Sequence, residues 1–99
     1  MSDTQTAQAR IAAALAAGHP LWDDGRGVGA GRRYRRAPEL YEPLGGGRVR
    51  ITTLSLREHR RLGSYEASAE GVASTAAARW ASGHLVALRP GELATLVPE

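Results

Sequence analysis

The sequence predicts a small α+β domain, and three segments carry that prediction. Ser2–Ala17 is rich in alanine, the best helix former, and Gly18 and Pro20 follow it where a helix ends. Arg48–Leu54 alternates β-branched with polar residues, as a half-buried strand does. Ser74–Ser82, closed by a glycine, is typical of a short helix. We therefore expect an N-terminal helix, a short strand or hairpin, and one or two C-terminal helices.

A chain of 99 residues has room for one domain. We expect this domain to divide into a helix over residues 1–18, an irregular basic segment rich in glycine and proline over residues 19–47, and an α/β part over residues 48–99. Within the last part, Ser55–Gly63 is predicted to form a short helix. Ser55 can cap that helix, and Glu58 stands where a capping box needs it.

The hydrophobic core that this chain can build is modest, because alanine supplies 18 of its apolar residues. Buried apolar surface contributes about 25 cal/mol per Å², so an alanine-heavy core has little margin over chain entropy. We expect partial dependence on a partner, either a second copy or a ligand surface. The chain has no cysteine, and no apolar run approaches the ~20 residues that span a bilayer. These features predict a cytoplasmic protein with no membrane partner.

Positive charge is concentrated in the middle of the chain. All 13 basic residues are arginine, and the formal net charge is +3. Residues 26–61 hold ten arginines against three glutamates, a net charge of +7, whereas the flanks hold three arginines against seven acidic residues, a net charge of −4. This asymmetry indicates a surface that binds a polyanion.

The main candidate for binding is an arginine run that follows a series of alternating glycines. The run consists of Arg32, Arg33, Tyr34, Arg35 and Arg36. Four guanidinium groups around one aromatic ring suit phosphate contact and stacking on bases. Two other interpretations remain open: a solvated arginine loop, and a loop that pairs with acidic residues of a protein partner. The glycine series lacks the preceding strand and the Gly-Lys-Ser/Thr ending of a phosphate-binding loop.

Residues for catalysis or metal binding form no recognisable pattern. His19, His59 and His84 match no metal-ligand spacing, and the adjacent Asp23 and Asp24 are more typical of a turn. No serine lies in a Gly-x-Ser-x-Gly motif. We therefore expect a protein that is not an enzyme and uses no cofactor.

Three stretches within residues 54–91 share features with one known family. Gly71–Gly83, which contains Arg-Trp-Ala-Ser-Gly, resembles the recognition-helix region of winged helix–turn–helix DNA-binding proteins of the MerR and excisionase type. His84–Gly91 is similar to the strand and wing entry of that family, and Leu54–Gly63 is similar to its first helix. The resemblance implies that Ser74, Thr75 and Arg79 lie nearest to the major groove, and that Arg57, Arg60 and Arg61 contact the DNA backbone.

Two functions remain as hypotheses. The first is a small non-enzymatic nucleic-acid-binding protein, such as a regulator or an accessory factor of a mobile element, with DNA as the favoured partner. The second is an assembly or interaction protein, such as a small structural component of a phage or another multi-subunit particle. In that case the arginine run would meet an acidic protein surface, and the alanine-rich helix would dock on a neighbour. A homo-oligomer is compatible with either hypothesis.

Overall fold

The structure, a computed structural model, describes residues 3–25, 37–55, 60–89 and 92. Its elements in chain order are α1 (Asp3–Ala16), β1 (Leu21–Asp23), β2 (Glu39–Gly45), β3 (Arg48–Ser55), β4 (Arg60–Ser68), α2 (Ala69–Thr75), α3 (Ala77–Ala81) and β5 (Leu85–Ala87). The predicted N-terminal helix is confirmed by α1, and the α+β class is confirmed by helices packed on a sheet. None of the helices within the described residues has the length and apolar character needed to cross a bilayer.

The strands form one antiparallel sheet in the order β4-β3-β2-β1-β5. β2, β3 and β4 follow one another as a meander, whereas β5 pairs with β1 at the opposite edge of the sheet. The chain reaches that edge through α2 and α3. The turn between β2 and β3 contains Gly45, Gly46 and Gly47, which all have positive φ, a backbone region that glycine adopts without a steric cost.

Helices cover one face of the sheet. Ile11 and Leu15 stand four residues apart on α1, so they lie on the same side of that helix. Along β3, Val49 and Ile51 are buried against the helical layer, while the intervening Arg50 is exposed. The main core consists of Ile11, Leu15, Leu21, Tyr41, Val49, Ile51, Val72, Ala73, Ala76 and Leu85. The alanines allow the helices to approach the sheet, but they contribute little apolar area.

The opposite face of the sheet is divided into an apolar part and a polar part. Trp22, Leu40, Leu54 and Leu88 form a second buried cluster there. Toward β4 the side chains are polar or charged, and we call this part the polar face. It consists of Glu42, Arg50, Thr52, Arg61, Ser64 and Glu66, as the register of β2, β3 and β4 requires.

The segment 19–47, predicted as irregular, contains two strands of the sheet. β1 is buried at all three positions, and β2 buries Leu40 and Tyr41. The backbone N–H and C=O groups of these two strands pair with neighbouring strands on both sides. The glycines and prolines around them are not typical of strands, so the sequence pattern does not indicate them. The predicted short strand or hairpin is therefore part of a five-stranded sheet.

The predicted helix Ser55–Gly63 is wrong at both ends. Ser55 is the last residue of β3, and residues 60–63 begin β4. The backbone of residues 60–63 pairs with β3, as Arg61 does with Leu54, and so does not form helical hydrogen bonds. The predicted helix Ser74–Ser82 is also divided, because the chain bends at Ala76 between α2 and α3.

Candidate nucleic-acid interface

The ends of neighbouring strands meet at one end of the sheet. β1 ends at Asp23, which pairs with Glu39 at the start of β2. Glu39 pairs in turn with Thr53 near the end of β3, and Thr53 pairs with Gly63 near the start of β4. We call this end of the sheet, where β1 and β3 finish and β2 and β4 begin, the loop end.

Two connections, one of them rich in arginine, both start and finish at the loop end. Residues 26–36 lie between β1 and β2, and residues 56–59 lie between β3 and β4. They contain Arg26, Arg32, Arg33, Arg35, Arg36 and Arg57. The predicted binding residues Arg32, Arg33, Tyr34, Arg35, Arg36 and Arg57 lie outside the described residues. The described residues on either side of the two connections nevertheless belong to one end of the sheet.

Arg60 and Arg61 are the predicted binding residues that the structure does place at the loop end. They are the first two residues of β4, and both are exposed. Arg61 Nη1 lies 3.7 Å from Glu42 Oε1, and the arginine side chain is 46% exposed. At this distance the two groups are not hydrogen-bonded, and the half-exposed guanidinium remains accessible to another anion.

Arg79 has a different partner from the one that the resemblance implies. Its Nε donates a hydrogen bond to Asp23 Oδ2 at 3.0 Å, and its Nη2 donates to Asp23 Oδ1 at 2.6 Å. The two side chains are only 14% and 1% exposed. The hydrogen bond to Asp23 raises the pKa of Arg79 above its ordinary value, against the effect of burial. The guanidinium therefore joins α3 to β1.

Asp24 and His84 extend this ion pair into a four-residue cluster. Asp24 Oδ1 lies 3.6 Å from Arg79 Nη2 and 3.2 Å from His84 Nδ1. Asp23 also accepts a hydrogen bond from the backbone N–H of Gly25 at 2.8 Å, which makes the turn that the adjacent acids predict. Asp23 and Asp24 thus have polar partners inside the protein, which reduces the repulsion of a polyanion by these two carboxylates.

Ser74 and Thr75 lie at the C-terminal end of α2, not at the start of a recognition helix. Ser74 is exposed, and Thr75 Oγ1 donates a hydrogen bond to the carbonyl oxygen of Gly71 at 2.9 Å. The stretch that resembles the first helix of a winged helix–turn–helix coincides with the end of β3 and the start of β4. Within the described parts of the chain, the helix pairing that the resemblance implies does not occur.

The fold and these residues define a class: a small α+β protein with an antiparallel sheet, helices on one face and an arginine-rich connection at one end. Comparisons of the chain with protein-family models, with curated proteins and with solved structures found no match. In the part of the chain that the structure describes, no group of three or more His, Asp or Glu side chains is arranged to hold a metal ion.

Proposed function

We propose that this protein is a non-enzymatic nucleic-acid-binding protein that contacts the phosphate backbone at the loop end of its sheet. The observation that carries the proposal is that the connection 26–36, with five arginines and no acidic residue, starts and finishes at the same end of the sheet as the exposed Arg60 and Arg61. Residues 26–36 and 56–59 together hold six arginines and one acidic residue, Glu58. Arg60 and Arg61 add two exposed guanidinium groups where β4 begins. Arginine suits this role because its planar fork matches phosphate oxygens.

The distribution of charge along the chain also supports binding at the loop end. The described residues hold seven arginines and eight acidic residues, a net charge of −1. The residues outside them hold six arginines against Glu58 and Glu99, a net charge of +4, and all six of those arginines belong to the two connections. A polyanion is therefore attracted to the loop end more than to the helices. A cytoplasmic location, where nucleic acid is accessible, is part of this proposal.

Salt-dependent titration tests the proposal. Fluorescence anisotropy with short single-stranded and duplex oligonucleotides should show affinity that falls steeply between low and moderate salt. The variant Arg32→Gln/Arg33→Gln should lower affinity, and the slope of log K against log salt should decrease by about 0.7–0.9 for each phosphate that the protein no longer neutralises. Tyr34→Leu should weaken single-strand binding most, because a base then has no aromatic surface on which to stack.

The matched control is Arg10→Gln/Arg48→Gln, which removes the same charge from α1 and from the opposite end of the sheet. This control should retain most of the affinity. No binding at low salt, or an equal loss in the control and the loop-end variant, would contradict the proposal. Polyglutamate serves as a competitor that imitates an acidic protein surface. If polyglutamate displaced the oligonucleotide when carboxylate and phosphate concentrations were equal, the result would favour the protein-partner hypothesis instead.

A further inference from the structure

β4 is an edge strand with an exposed outer side. The sheet order leaves β4 with one neighbour, β3, among the described residues. Of its nine residues, all except Ala67 are exposed, including Leu62 at 48% and Tyr65 at 57%. The free edge of a strand presents backbone N–H and C=O groups that can pair with a further strand. An edge this long, with two exposed large apolar side chains, has the features of a strand that pairs with a further strand.

The polar face shows that β4 is complementary to itself in the antiparallel direction. Arg61 pairs with Leu54 and Glu66 pairs with Arg50, so both side chains lie on the polar face. Leu62 is the extra residue of a β-bulge, because Gly63 and Arg61 pair with consecutive residues of β3. A bulge counts two residues against one on the opposite strand. With a two-fold axis at Ser64, Arg61 and Leu62 of one copy would stand opposite Glu66 of the other.

The helix-covered face gives a second complementary pair in the same register. Gly63 and Tyr65 pair with Thr53 and Ile51, and both lie on this face. The axis at Ser64 would place Tyr65 of each copy opposite Gly63 of the other. Nothing lies within 4 Å of the position that a Cβ atom would occupy on Gly63, so there is open space for the ring. Aromatic side chains that cover a glycine of an adjacent strand stabilise sheet pairing.

We propose that two copies of this chain pair antiparallel through β4, with the two-fold axis at Ser64, and join their sheets into one. The strand carries a basic residue and an acidic residue at equivalent positions on either side of the axis, so a second copy satisfies both charges at once. Their existing ion pairs are long: Arg61–Glu42 at 3.7 Å and Arg48–Glu66 at 3.8 Å. Arg61 and Glu66 are about half exposed and are not hydrogen-bonded at these distances, so both can contact a second copy.

A charge-swap series tests the register. Sedimentation velocity on nuclease-treated protein should show a concentration-dependent dimer. Arg61→Glu and Glu66→Arg should each raise the dimer Kd about tenfold, because each creates two like-charge contacts across the axis. The double variant Arg61→Glu/Glu66→Arg should restore the Kd to within about threefold, since it re-forms both opposite-charge pairs. Arg10→Glu and Glu70→Arg, which make the same charge changes on exposed helical positions, should leave the Kd unchanged.

A cysteine crosslink tests the position of the axis. The chain has no cysteine, so Ser64→Cys introduces a single thiol that would face its own copy across the two-fold axis. Mild oxidation should produce a disulfide-linked dimer, whereas Ser74→Cys on α2 should not crosslink. A wild-type chain that is monomeric at every concentration would overturn the proposal. So would a double charge swap that is as weak as the single variants, or equal crosslinking of the two cysteine variants. These outcomes concern dimerisation alone, and nucleic-acid binding at the loop end is tested separately by the salt-dependent titration.

Discussion

Asp23 carries a carboxylate that is almost completely buried, and Arg79 is the residue that makes this burial possible. The two side chains share a pair of charge-assisted hydrogen bonds of 3.0 and 2.6 Å. Removal of one partner from a buried ion pair leaves the other charge without compensation, which costs more than the pair contributes when intact. The stability of the β1–α3 contact therefore depends on both residues being present.

Arg79→Gln should lower the free energy of unfolding by about 3–5 kcal/mol, because the carboxylate of Asp23 stays buried without a cation. Urea denaturation measures this loss. The control Arg89→Gln removes the same charge at an exposed position and should change the stability by less than about 0.5 kcal/mol. The double variant Asp23→Asn/Arg79→Gln should be more stable than the sum of the two single losses predicts. Additive losses would show that the two residues do not interact.

No local sequence pattern identifies this pair, because its partners are 56 positions apart in the chain. A pair of adjacent aspartates predicts a turn, and the bond from Gly25 to Asp23 is that turn. The arginine was predicted to contact DNA because its neighbours are similar to a recognition helix. Burial against β1 is a property of the tertiary structure, so the sequence could not distinguish a structural guanidinium from an exposed one.

At the scale of elements, Ser68 connects the last strand of the meander with the helical layer. It ends β4, and its Oγ accepts a hydrogen bond from the backbone N–H of Gly71 at 2.9 Å. This contact caps the N-terminus of α2. The backbone N–H of Ala69 also donates to the carbonyl oxygen of Gly47 at 2.8 Å, so the start of α2 is fixed to the β2–β3 turn.

Ser68→Ala should destabilise the protein by about 1 kcal/mol, because an N–H group at the start of α2 loses its acceptor. Thermal unfolding followed by circular dichroism provides the measurement. Ser74→Ala is the matched control, since this serine is exposed near the other end of the same helix. An equal effect of both substitutions would contradict the capping role of Ser68.

Elements with a local signal could be predicted from the sequence, and elements without one could not. α1 and β3 show helical composition and strict alternation, and both occur within one or two residues of the predicted bounds. β4 begins inside a segment with the Ser55-x-x-Glu58 pattern of a capping box, and it contains Gly63, which disfavours a strand. Pairing with β3 outweighs these preferences, as tertiary context commonly does for strands. The predicted arginine surface remains a prediction.

At the scale of the whole molecule, the proposed binding surface and the proposed dimer contact share Arg61 near the start of β4 and otherwise use different residues. The loop end lies where β1 and β3 finish and β2 and β4 begin, whereas the dimer contact follows the length of β4 and is centred on Ser64. An antiparallel dimer would direct its two loop ends in opposite directions. Two separate stretches of nucleic acid, or two distant points on one strand, would then be accessible to a single dimer.

The strand order has a further consequence for the folding pathway. β2, β3 and β4 pair with their neighbours along the chain, whereas β5 pairs with β1 across about sixty residues. Contacts between residues close in sequence form at a lower entropic cost, so the meander should form before the β1–β5 edge. In stopped-flow experiments, Val49→Ala should mainly slow refolding, and Leu85→Ala should mainly accelerate unfolding. If Leu85→Ala slowed refolding and Val49→Ala accelerated unfolding, the folding nucleus would lie at the β1–β5 edge instead.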